Sequence, residues 1–142
     1  MDMKKKIAAG VLAAATLGSV LLGASAPAFA SSGGCVSGDA CLYYSQNLQG
    51  AKFGKGEFGN YDGTFGGGGA GNGQPVLNNA ASVWNMDHYH NLRVHYREFS
   101  IRDSGPNQFV PHDQSVNLGY VPWNGGSINM RNNNHSQSWE TL

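Results

Sequence analysis

Asp87-His88-Tyr89-His90, with His95 a few residues on, is the stretch whose residue types most invite chemistry. In an extended segment His88 and His90 fall on one face, where two imidazoles can share a transition metal. Such centres need three or four convergent ligands with supporting hydrogen bonds. That convergence is not visible in the sequence, so these side chains are read as solvated loop histidines. Ser, His and Asp, the constituents of an acyl-transfer site, are all present. No Gly-x-Ser-x-Gly or similar local signature marks a nucleophile among them. The eight acids that follow Asp2 are scattered, and no pair stands out for glycoside chemistry. Gly66-Gly67-Gly68-Gly69-Ala70-Gly71-Asn72-Gly73 is no phosphate loop, since neither a lysine nor a strand-to-helix pattern follows it. The expectation is a protein that is not an enzyme and requires no cofactor.

The elements that must position these residues are strands. Nowhere beyond residue 30 does an apolar helical period persist for ten residues. Short β-branched and aromatic runs alternate instead with Gly, Asn, Asp and Pro. They fall at 41–44, 51–53, 82–84, 92–96, 108–110, 115–120 and 127–130. In the clearest, Leu92, Val94 and Tyr96 face one side, and Arg93 and His95 the other. Strands of this number and spacing predict an all-β antiparallel sandwich or barrel. The glycine-rich stretch has few side chains to bury and reads as a mobile loop. Ser104-Gly105-Pro106-Asn107 reads as a turn.

The first thirty residues carry the marks of an export signal. Lys4, Lys5 and Lys6 precede an apolar run over 7–23, and Ala28-Phe29-Ala30 supplies a cleavage pattern of small residues. A secreted protein beginning at Ser31 is expected, with residues 31–142 as one domain outside the membrane. An uncleaved anchor is the alternative. Removing the three lysines and Asp2 leaves six basic against eight acidic residues, with no basic footprint for nucleic acid. Cys35 and Cys41, an even count in an exported chain, predict a disulfide. Closing so short a loop is worth roughly 2 kcal/mol. A metal-binding or redox pair is the alternative reading.

A repeat lies beneath the strand pattern. Asn78-Asn79-Ala80-Ala81-Ser82-Val83-Trp84 is echoed by Asn133-Asn134-His135-Ser136-Gln137-Ser138-Trp139, 55 residues later. A duplicated four-stranded unit fits that period. Together with Tyr43-x6-Gly50, in which a glycine turns tightly under an aromatic ring, the pattern resembles the βγ-crystallin fold, a sandwich of two Greek keys. That resemblance implies calcium near Asn78 and Ser82 in one half, and near Asn133 and Ser138 in the other. The oxygens offered are neutral amides and hydroxyls rather than carboxylates, so binding is expected to be weak. Turns held by Asx-type hydrogen bonds are the alternative.

The closer resemblance is to the secreted peptidase-inhibitor family typified by the Streptomyces metalloproteinase inhibitor. It rests on Cys35-x5-Cys41-Leu42-Tyr43 and on Ala81-Ser82-Val83-Trp84-Asn85 preceding Leu92-Arg93-Val94-His95-Tyr96. The family's inhibitors also carry a second disulfide in the latter half, whereas this chain has no cysteine after Cys41. The resemblance implies an extracellular metalloprotease as partner and an exposed loop after Tyr96 as the inhibitory element. Ser100, Ile101 and Arg102 would present the bond, with Ile101 entering an apolar pocket. The other implied role is a structural or binding module with weak calcium sites and no protease target.

Overall fold

The computed structural model describes residues 34–142, and among these residues it has ten strands and one short 3-10 helix. The export signal expected at residues 1–30 lies outside the described residues. The strands are β1 (Ala40–Ser45), β2 (Gln49–Lys55), β3 (Gly59–Asn60), β4 (Ser82–Asn85) and β5 (His90–His95). After the helix η1 (Phe99–Ser104) come β6 (Asn107–Val110), β7 (Ser115–Asn117), β8 (Tyr120–Trp123), β9 (Gly126–Asn129) and β10 (Ser136–Thr141).

Two antiparallel four-stranded sheets run in the orders β2-β1-β4-β7 and β3-β10-β5-β6. The first Greek key, β1 to β4, lends β3 to the second sheet. The second key, formed by β5, β6, β7 and β10, lends β7 to the first. Two keys exchanging their third strands make the βγ-crystallin-like sandwich. The β8–β9 hairpin is a separate two-stranded ribbon between β7 and β10.

Period-two alternation decides which side chains meet between the sheets. Leu42 and Val83 from one sheet, and Leu92, Val94 and Val110 from the other, share a core with Phe65, Val76, Leu118 and Met130. Cys35 and Cys41 form the expected disulfide, with Cα atoms 5.4 Å apart, which ties the described N-terminal segment to β1.

Several local expectations are corrected. The 115–120 run is two strands, because Leu118 leaves the ladder to enter the core while its N–H reaches Ala81 O. β10 is a full strand that the polar sequence Ser136-Gln137-Ser138 concealed. Gln137 is nonetheless buried, and its Nε2 donates to Lys55 O and Glu57 O at 2.9 and 2.8 Å. His95 lies on the face opposite Val94 but is also buried.

The glycine-rich stretch is a hydrogen-bonded coil against β2, not a free loop. Ala70 O accepts from Ala51 N at 2.8 Å, and Gly66 and Lys52 exchange both backbone bonds at 2.9 Å. The rings that fold over glycines are Tyr44 over Gly71 and Phe53 over Gly63, rather than Tyr43 over Gly50. Tyr44 meets Phe65 edge-on at 5.7 Å on this same side.

Candidate functional site

The two asparagine-rich turns face one another across a pseudo-two-fold axis. Asn78 N donates to Asn134 O at 2.8 Å, and Asn132 N donates to Ala80 O at 2.9 Å. Asn78 and Asn132 both have left-handed backbones, with φ of 59° and 58°. Asn79 Nδ2 bonds Pro75 O at 2.8 Å, as Asn133 Nδ2 bonds Asn129 O at 2.9 Å. Ser82 Oγ bonds Ser45 O, as Ser136 Oγ bonds Arg97 O, at 2.6 and 2.8 Å.

These matched pairs set the repeat at 54 residues, one fewer than the sequence echo suggested. Asn133 therefore matches Asn79, and the partner of Ser82 is Ser136 rather than Ser138. The tryptophan echo misled the register: Trp139 stands one place beyond the equivalent of Trp84. Ser138 points to the outer face and hydrogen-bonds His95 Nε2 at 2.7 Å. The side chains of Asn79, Ser82, Asn133, Asn134 and Ser136 are thus engaged with backbone groups.

Beside these turns lies a cleft of about 320 Å³ lined by Asn78, Asn133, His135, Tyr96, Arg97, Glu98 and Ile101. It brings together one residue from each asparagine turn and the central residue of the loop. Ser82 and Ser138 do not line it.

Ser100, Ile101 and Arg102 lie within η1, so their backbone is wound into tight turns rather than extended. Ile101 itself departs from helical geometry, with φ −125° and ψ 22°, which divides η1 in two. The segment is held from both ends. Phe99 N donates to Asn60 Oδ1 at 2.7 Å, and the Phe99 ring stacks on Phe58 at 5.2 Å. The Arg102 guanidinium lies 4.3 Å over the Phe99 ring and donates to Phe99 O at 3.0 Å. Ser104 Oγ bonds Ile101 O at 2.7 Å. Between these ties Ile101 remains 49% exposed.

Next to η1, His95 is a buried imidazole on a sheet face. Burial, followed by the Arg102 charge, pushes its pKa down to about 4. Nδ1 is buried and has no partner among the described residues. A bare nitrogen is cheaper there than an unsatisfied N–H, which puts the proton on Nε2 and makes Ser138 Oγ the acceptor. His95 is therefore not poised to take a proton from Ser138.

The sign of the linkage follows from the depressed value. Above pH 6.5 the ring is neutral folded or unfolded; between 6.5 and 4 only the unfolded chain binds the proton. Stability falls across that window, by about 1 to 2 kcal/mol once solvent screening is allowed for. Urea midpoints of the wild type and His95→Gln, measured from pH 7.5 to 4, should not run parallel, the wild type losing more as the pH falls. Parallel curves would show that His95 is not the group responsible.

The histidine pair is split by the fold. His88 Nδ1 meets Asp113 Oδ1 at 2.5 Å, while His90 Nδ1 meets Asp87 Oδ1 at 3.0 Å. Burial would raise the Asp87 carboxyl, but N–H donors of Tyr89 and His90 outweigh it and hold it below the usual range. Among the described residues no three His, Cys, Asp or Glu side chains converge as a metal centre. Sequence reading missed the neighbour on the other side of His88: Ser37 Oγ lies 3.3 Å from its Nε2. A separation of 51 residues hides that contact from any local motif.

No family model matches the chain, and no curated protein matches it. Among solved structures, one described as "Evolution of the eye lens beta-gamma-crystallin domain fold" is similar at 16% identity. The similarity covers 76% of this chain and 90% of that one, with a TM-score of 0.45.

Proposed function

We propose that this is a secreted binding domain of the peptidase-inhibitor type, which engages an extracellular metalloprotease through the η1 shoulder. The observation that carries this reading is Ile101, an apolar side chain half in solvent on a segment otherwise tied down. An ordering cost already met in the free protein does not have to be met on binding. Because the Ser100–Ile101 backbone is wound, Ile101 acts in this proposal as a side-chain wedge in an apolar pocket. Ser100 and Arg102 hold the turn on either side. The leader over residues 1–30 belongs to the same proposal, as does action outside the cell.

A second reading, a structural or binding module with weak calcium sites, draws on the cleft that places Glu98 beside Asn78 and Asn133. One carboxylate among neutral oxygens, with the Arg97 cation in the same lining, suits weak binding, with a dissociation constant of about 10⁻⁴ M or weaker.

One substitution separates the two. Filling an apolar pocket with an Ile-sized side chain is worth roughly 1.5 to 3 kcal/mol. Ile101→Asp should therefore weaken inhibition of a thermolysin-like protease at least about tenfold, while an exposed site leaves the melting temperature nearly unchanged. Inhibition constants and melting curves, each with and without millimolar calcium, are the measurements. A wild type that does not inhibit but melts higher with calcium supports the module. Undiminished inhibition by folded Ile101→Asp removes η1 as the contact.

A further inference from the structure

At the opposite end of β5 from η1, three turns bring Ser37, His88 and Asp113 into the order of an acyl-transfer relay. Ser37 lies in the loop closed by the Cys35–Cys41 disulfide, His88 between β4 and β5, and Asp113 between β6 and β7. Ser37 Oγ is 3.3 Å from His88 Nε2, and His88 Nδ1 is 2.5 Å from Asp113 Oδ1. A carboxylate only accepts hydrogen bonds. The ring proton therefore sits on Nδ1, and Nε2 presents its lone pair to the serine hydroxyl. This is the reverse of the His95–Ser138 pair.

The backbone fixes the three carriers to one another. Gly38 N donates to Met86 O, and Met86 N to Asp39 O, both at 2.9 Å, which clamps the serine turn to the chain leading into His88. Asp113 N donates to Asp87 O at 3.2 Å, and Asn85 N to Gln114 O at 2.8 Å, which ties in the third turn. Beneath them the buried Asn85 side chain bonds His90 O, Val110 O and Asp87 N at 2.9, 3.2 and 3.0 Å. Such bracing holds a reacting constellation in place before any substrate arrives.

We propose that Ser37 is an activated surface nucleophile, with His88 as its general base and Asp113 as the positioning residue. The His88 and Asp113 side chains are 57% and 51% exposed, and the cleft beside η1 does not include them. The substrates are accordingly small activated esters arriving from solvent. Ser37 Oγ bonds to the ester carbonyl carbon as its proton passes to His88 Nε2. The bond to the alcohol oxygen breaks, and that oxygen takes the proton from Nε2. Water then attacks the acyl-serine with the same proton transfers, releasing the acid and restoring Ser37. This goes beyond the binding role and is independent of it, because η1 contributes nothing here.

Treating the purified protein with diisopropyl fluorophosphate, followed by peptide mapping, tests the assignment. Label should concentrate on Ser37 and form at least about tenfold faster than in His88→Ala, the low side of what a general base supplies. p-Nitrophenyl acetate hydrolysis should fall in parallel in Ser37→Ala. Asp113→Asn suits the left-handed backbone there, with φ 58°, so melting should hold. Labelling should still slow, and the downfield Nδ1 proton resonance of His88 should be lost. Label spread over several serines, or labelling of Ser37 that His88→Ala leaves unchanged in a folded protein, overturns the proposal.

Discussion

Asn134→Ala should destabilise the domain by about 2 to 4 kcal/mol, in the upper part of the range for a single substitution. Its side chain is fully buried where the two keys meet. Oδ1 accepts from Ala80 N at 2.9 Å, and Nδ2 donates to Val76 O at 3.1 Å. Truncation strands the buried Ala80 N–H, at about 1 to 3 kcal/mol, and removes one of two bonds to Val76 O, which keeps Asn79 N at 3.0 Å, at about 1 kcal/mol. The pseudo-symmetry makes the cost sharper, because the matching position in the first key is Ala80, which offers nothing in return. Asn133→Ala is the internal control, since it loses one bond, to Asn129 O, at a half-buried site. Its cost should be about 1 kcal/mol. Urea unfolding of the two variants should differ severalfold in the free energy lost. Equal losses would mean that Asn134 does not join the keys.

Gly71→Ala should cost about 3 kcal/mol or more, through two mechanisms acting at one atom. The backbone is left-handed, with φ +81°, a conformation that already penalises a Cβ by about 1 kcal/mol or more. The new carbon would also overlap Cβ, Cγ and Cδ2 of Tyr44. Tyr44 Cβ and Cγ are near the backbone and cannot swing away as the tip of a flexible side chain does. The ring must move, and it takes with it the edge-on contact with Phe65, a core residue. Gly73→Ala is the comparison, with the same φ of 81° but open space around the added carbon. Thermal unfolding should show Gly71→Ala melting well below Gly73→Ala. Equal melting temperatures would mean that strain alone, and not the Tyr44 ring, sets the cost.

What the sequence disclosed about the fold came from period and punctuation. Leu92, Val94 and the Ser82–Trp84 run announced their strands because apolar alternation is a local signal. β10 stayed hidden because Gln137 is a polar residue in a buried place, its Nε2 bonded to Lys55 O and Glu57 O of a distant segment. The glycine coil was misread for the complementary reason. Glycines bury no side chain, yet here they let backbone close on backbone and admit the Tyr44 ring. The register of the repeat went astray by one residue because tryptophan is conspicuous, while the quantity that repeats is a set of backbone bonds at Asn79 and Asn133.

The candidate sites were legible to different degrees. Asn78 and Asn133 do fall together, because a duplicated turn related by a two-fold axis brings its copies face to face. Ile101 is exposed, but winding of its backbone depends on Phe99 meeting Asn60 and Phe58, which lie about forty residues away. Ser37, His88 and Asp113 come from three turns that only the folded sheets set side by side.

The exchange of third strands also bears on how a protein of this shape can arise. Neither key closes its own sheet: β3 finds its neighbour β10 in the other half, and β7 finds β4. A half-length ancestor would have left one strand unpaired and one sheet edge open, an arrangement that invites association. Two identical copies would have completed each other by trading that strand, with the Asn78 and Asn132 contacts lying on a true symmetry axis between chains. Joining the copies end to end turns a meeting of two molecules into an internal step, favoured by the high effective concentration that a short connection provides. On this account Asn134 facing Ala80 is a mark of divergence after fusion, when the two faces no longer had to be the same.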